Sequence, residues 1–147
     1  MQISLGKSAF VATAVTLTMS SAFAQSLPSL PAVHQSAGVE YMSGGIGVDE
    51  STAIKSISQQ WPVTLVFSVK GSPRAHYAAD VKVSIRDIKG HVALQIQSQG
   101  PYLLARLPAG GYALNAIYAG HSITKNFVIE KARPIQIDLV WPQGTGE

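Results

Sequence analysis

The chain has 147 residues, with 11 lysines and arginines against 8 aspartates and glutamates, and it contains no cysteine. A formal net charge of +3 without any basic run argues against an electrostatic nucleic-acid binder. The lack of cysteine excludes disulfide scaffolding, thiol catalysis and an acylated cysteine anchor.

The first element in chain order is an export signal. Lys7 is followed by an apolar run from Ala9 to Met19 and then by Ser20-Ser21-Ala22-Phe23-Ala24. Signal peptidase admits only small side chains at the positions held by Ala22 and Ala24, and the run is shorter than the roughly 20 apolar residues of a membrane span. Residues 1–24 therefore read as a cleavable signal peptide, with Gln25 as the mature N-terminus and, in a Gram-negative cell, the periplasm as destination. Lys7 leaves with the signal, and the formal charge falls from +3 to +2. No second hydrophobic span follows, so the mature chain is expected to be soluble.

Residues 25–40 hold Pro28, Pro31 and several serines with little periodicity, and they read as a flexible leader. Residues 41–62 follow as a unit. Tyr41-Met42-Ser43-Gly44-Gly45-Ile46-Gly47 is a glycine-rich turn, and Val48 to Trp61 is the single good helix candidate. Asp49 is placed to cap that helix, and Glu50 suits the positive end of its dipole. Val48 and Ala53 are placed to form a hydrophobic staple. Ile54, Ile57 and Trp61 share one face, and Pro62 ends the helix.

From residue 63 to 142 the pattern is that of strands. Val63, Leu65, Phe67 and Val69 alternate with more polar neighbours; so do Val81, Val83 and Ile85, then Val92, Leu94 and Ile96. Further sets are Leu103, Ala105 and Leu107; Tyr112, Leu114, Ala116 and Tyr118; Ile123 and Phe127 to Ile129; and Ile135, Ile137 and Leu139. Strict alternation marks strands with one buried face, and turns every 8–12 residues mark a sandwich. The expectation is a mainly β domain, a seven-stranded antiparallel β-sandwich preceded by one short α-helix, with residues 143–147 as a flexible tail.

Leu107-Pro108-Ala109-Gly110-Gly111-Tyr112 carries a recognisable phrase. A strand ending in Leu-Pro-x-Gly, with x-Tyr opening the next, resembles the carboxypeptidase regulatory-like domain, a transthyretin-like sandwich of seven strands. A longer pattern is similar to a group of small exported proteobacterial proteins. It comprises Tyr41–Gly47, the helix, Leu65-Val66-Phe67, Ala79-Asp80-Val81 and Gly100–Pro108. The resemblance implies a fold rather than a particular function, since sandwiches of this kind host many binding roles; domains of this kind are not peptidases, and the carboxypeptidase zinc-binding motif is missing here.

Catalytic chemistry finds little support. Gly-x-Ser-x-Gly is absent. His34, His76, His91 and His121 are scattered; alternating strand directions place His76 and His121 at one end of the sandwich and His91 at the other. No metal set or cofactor motif results. Gly44-Gly45-Ile46-Gly47 lacks the lysine of a phosphate loop, and Asp49 and Glu50 put negative charge where a phosphate would sit. Trp61, Tyr112, Phe127 and Trp141 read as core or rim residues, whereas Tyr41, Tyr77 and Tyr102 read as the more exposed rings.

The function expected is a non-catalytic periplasmic binding or scaffold module for a protein or cell-envelope partner. The alternative is a carbohydrate-binding module using exposed tyrosines. The candidate contact residues are Tyr41, Asp49, Glu50, Tyr77 and Tyr102, with Ser51, Lys55 and Ser58 on the outward helix face. No cofactor, metal or nucleic acid is expected.

Overall fold

A computed structural model of the chain describes residues 29–147. The expected signal peptide and its expected cleavage site before Gln25 lie outside the described residues. The elements run β1 (Val33–Ser36), β2 (Val39–Gly44), α1 (Val48–Ile57), a 3-10 turn (Ser58–Gln60), β3 (Val63–Val69), β4 (His76–Tyr77), β5 (Lys82–Asp87), β6 (Val92–Gln97), β7 (Tyr102–Ala105), β8 (Gly110–Tyr118), β9 (His121–Ile129) and β10 (Ile135–Trp141). They form two sheets. The first has the order β1-β2-β7-β3-β10, with β4 also pairing with β3; the second has the order β6-β5-β8-β9.

The sandwich preceded by a short helix is what forms, and all seven expected strands are present as β3 and β5–β10. Three strands are additional. β1 and β2 make a hairpin within and just past the stretch read as a flexible leader, Val33 pairing with Met42 and Ser36 with Val39. Its two-residue turn places Ala37 at φ 51 and Gly38 at φ 80, the left-handed pair that matches the natural twist of a hairpin. The leader reading fails there because β1 is exposed along most of its length, and an edge strand without a buried face has no apolar alternation to display.

One pairing departs from the all-antiparallel expectation. β10 lies parallel to β3, Ile135 beside Val63 through to Trp141 beside Val69. β9 belongs to the second sheet, and the chain crosses at residues 130–134 to enter the first sheet from the end where β3 begins. Parallel neighbours need a long connection, and here residues 70–134, with the whole second sheet, intervene.

The core lies between the sheets. Leu65, Phe67, Val81, Val83, Ile85, Leu94, Leu103, Leu107 and Leu114 are buried, as their alternation predicts. Ile137, expected with them, is only half-buried, because β10 is an edge strand. Trp141 packs against Phe67 and Tyr118 and donates its indole N–H to the His121 carbonyl at 2.9 Å. Tyr112 stacks on Phe127 and donates its hydroxyl to the Pro108 carbonyl at 2.7 Å, so this tyrosine pins the Pro-Ala-Gly-Gly turn four residues upstream.

A second, smaller cluster covers the outer face of the first sheet. There α1 packs Ile54, and the chain beyond it packs Trp61, against Met42, Tyr102 and Leu104. Burying a side chain such as Ile54 stabilises by about 1.5–3 kcal/mol. β7 is thus covered on both faces, and all four of its residues are buried.

The helix starts differently from its sequence reading. Gly47 occupies the N-cap position without a side-chain cap, Asp49 is exposed, and Val48 is 80% exposed, so neither the aspartate cap nor the staple forms. Glu50 takes over: its carboxylate accepts the Gly45 N–H at 2.7 Å. A Cβ at Gly44 would strike Glu50 and Pro31, and one at Gly45 would strike the Tyr102 ring. These glycines let the turn lie flat on the sheet. The C-terminal residues, read as a flexible tail, fold back as a turn in which Thr145 is buried and donates its hydroxyl to the Pro142 carbonyl at 2.8 Å.

Candidate functional site

The outer face of the first sheet is only half covered. Strand alternation puts Val66 and Ser68 of β3, Tyr102 of β7, and Gln136, Asp138 and Val140 of β10 on this face. The registers align them in cross-strand rows: Tyr102 beside Val66 beside Asp138, and Tyr77 beside Ser68 beside Val140. The helix covers the β2–β7 side. The β3–β10 side stays open as a hollow of about 390 Å³, bounded by Lys55 of α1 and by Tyr77.

Two of the five candidate contact residues meet here. β4 and β7 both lie on the same flank of β3, which brings Tyr77 and Tyr102 to a ring separation of 5.8 Å. The Tyr102 hydroxyl donates to that of Tyr77 at 3.1 Å. Tyr77 is 59% exposed, as expected; Tyr102, expected to be exposed as well, is 4% exposed because the helix and the Gly44-Gly45 turn close over it. Burial, the hydrogen bond to Tyr77 and the negative charge of Asp138 push the Tyr102 hydroxyl well above the usual phenol range, so it stays a neutral donor. Lys55 Nζ sits 5.8 Å from the Tyr102 ring centre. Across the hollow, Gln136 donates to the Asp138 carboxylate at 2.9 Å.

The other three candidates lie apart from this pair. Tyr41 is on β2 with its side chain against the inner core, half-buried, its ring 5.5 Å from that of His34. Asp49 stands exposed on the first turn of the helix, and Glu50 is engaged with Gly45. Ser51 is buried rather than outward and donates to the Val48 carbonyl. Lys55 is outward, as the helix periodicity indicates.

Compared with known proteins, the chain matches no family model and no curated protein. The site is therefore read from its own chemistry. One ammonium, one carboxylate, one amide, one serine hydroxyl and two phenols surround an apolar patch of Val66 and Val140. That assortment donates and accepts hydrogen bonds and offers a ring for stacking. No nucleophile in it is paired with a base, and among the described residues no three histidine, aspartate or glutamate side chains converge to hold a metal. His76 lies beside Tyr77, and His121 is paired with Tyr118, whose ring lines the same terminal hollow as His76; His91 sits instead 3.5 Å from Asp87.

Gln136, Asp138 and Val140 escape sequence reasoning as site residues. Their alternation with Ile135, Ile137 and Leu139 marks them as outward, but nothing local in the sequence shows which outward face the helix leaves open.

Proposed function

We propose that this chain is an exported, non-catalytic binding module of the carboxypeptidase regulatory-like kind. It presents the open half of its first sheet to a protein or cell-envelope partner. The observation that carries this reading is the exposed Tyr77 ring, held by a buried tyrosine and set beside Lys55, Gln136, Asp138 and Val140. Binding sites combine an apolar surface with a few fixed polar groups, and tyrosine joins both properties with little rotamer entropy to lose. The Ala22-Phe23-Ala24 pattern supports export, and among the described residues no helix is long and apolar enough to cross a membrane.

Site-specific photocrosslinking in cells tests the proposal. A photoreactive residue at Tyr77 or Val140 should capture one partner that the same residue at Lys82, exposed on the second sheet, does not. Equal capture from all three positions would place the contact elsewhere. A glycan is the second reading, favoured by the combination of a stackable ring with amide and carboxylate hydrogen-bonding groups around it. Binding on a glycan array that Tyr77→Ala abolishes is the result expected if that reading holds.

A further inference from the structure

A second groove, of about 460 Å³, crosses the opposite end of the same sheet. Its layout follows from register. Ala105, Val63 and Ile135 stand side by side at the ends of β7, β3 and β10. Residues just outside these ends therefore line a channel running across the strands: Arg106 beyond β7, Trp61 and Pro62 before β3, and the Lys131–Pro134 turn before β10. Neighbouring strands are about 4.8 Å apart, so the Arg106 wall and the Arg133 wall are separated by roughly 10 Å of sheet.

The charges of the groove are unbalanced. Arg106, Lys131 and Arg133 line it against Glu130 of the lining and Glu40 just outside it, a surplus of one positive charge. Arg133 is held by Glu130, and Arg106 uses its Nε on Glu40 at 3.1 Å, with its guanidinium 4.2 Å above the Trp61 ring. Lys131 has no carboxylate partner among the described residues. Between the basic walls the lining includes the apolar Pro62, Leu107, Ile129 and Pro134, with the amides Gln59 and Gln60 beside Trp61.

We propose that this groove binds an extended acidic peptide segment, with carboxylates at both walls and an apolar side chain between them. In an extended chain, residues two to four apart on one face span about 7–13 Å, which brackets the separation of the walls. A lone phosphate would want free donors converging on one point; Lys131 and Arg133 share one wall, but Arg133 is already held by Glu130, and Arg106 stands at the other wall. A nucleic-acid strand would want a free aromatic face for its bases, and the Trp61 face is occupied by Arg106.

The test uses the mature chain and a blocked five-residue peptide with glutamate at both ends and leucine in the middle. Calorimetry should show binding that weakens as salt is raised and is lost when both glutamates become glutamine. Lys131→Gln and Arg133→Gln, both on an exposed turn, should each weaken it about two- to fivefold. Tyr77→Ala should leave it unchanged, which separates this groove from the site proposed above. Equal affinity for the glutamine peptide, indifference to the Lys131→Gln/Arg133→Gln pair, sensitivity to Tyr77→Ala, or equal competition by inorganic phosphate or a thymidine strand would each overturn the proposal.

Discussion

Lys125 reaches from β9 of one sheet to the Asp138 carbonyl on β10 of the other, at 2.9 Å. Lys125 pairs with Leu114, so it sits on the inward row of its strand, yet it lies at an edge and stays exposed. In the parallel ladder Ile135 and Trp141 turn their backbone groups toward β3, which leaves those of Gln136, Asp138 and Val140 facing out. The ammonium thus occupies one acceptor of an otherwise open edge, and an inward lysine on a sheet edge is a known guard against strand addition. Lys125→Met should change stability by less than about 1 kcal/mol, since the group is solvated. It should also produce concentration-dependent self-association in sedimentation velocity, where the parent chain shows less.

The two acidic residues at the helix start should behave differently. Glu50→Ala removes the acceptor of the Gly45 N–H in a partly buried turn and should cost about 1–3 kcal/mol in denaturant melts. Asp49→Ala touches no cap and should fall within about 0.5 kcal/mol of the parent.

Leu65→Ala and Leu107→Ala each open a cavity in a closed core and should cost about 2–5 kcal/mol. Ile137→Ala should cost less than either, because its half-buried edge position is already in contact with water. Equal losses at all three would contradict the edge placement of β10.

Gly100 and Gly90 separate steric from conformational demand. A Cβ at Gly100 would press on the backbone of Gly44, which cannot move without disturbing the turn; one at Gly90 meets nothing, though φ is +83. Gly90→Ala should cost about 1–2 kcal/mol from the left-handed conformation alone. Gly100→Ala should cost more and should shift the fluorescence of Trp61, the only tryptophan in the cluster beneath the helix.

Tyr102 sets an alkaline limit. Its folded-state ionisation lies above the ordinary value of 10.0, so unfolding releases a proton more readily once the pH passes that value. The stability linked to this group is fully present below about pH 10 and declines as the pH rises further. Tyr102→Phe should flatten the decline in stability measured by urea melts across that range, although it also removes the bond to Tyr77.

How far the sequence discloses the structure depends on whether a strand has one wet face. β5 and the residue before it alternate buried Val81, Val83 and Ile85 with Lys82, Ser84 and Arg86, and period two is unmistakable. β7, buried on both faces, shows no period in Tyr102-Leu103-Leu104-Ala105, and only its bounding turns mark it. β1 has the converse problem and shows mostly solvent-facing residues. At the site, Tyr77 and Tyr102 are brought together by separate pairings with β3, a relation between distant segments that no local pattern encodes. The helix's own face was readable from Ile54, Ile57 and Trp61, but its preference for the β2–β7 half of the sheet depends on glycines whose partners lie elsewhere in the chain.

The parallel ladder between residues 63–69 and 135–141 also governs the order in which the fold can be completed. A chain emerging N-terminus first has β3 early, yet the open flank of that strand waits for almost the last residues to appear. Until then Phe67 lacks Trp141 beside it, and the loop to be closed spans the second sheet entire. Such a high contact order makes for slow folding. The last strand to emerge is thus the one that closes the first sheet, and the shape of that sheet is set only once residues 135–141 have joined β3.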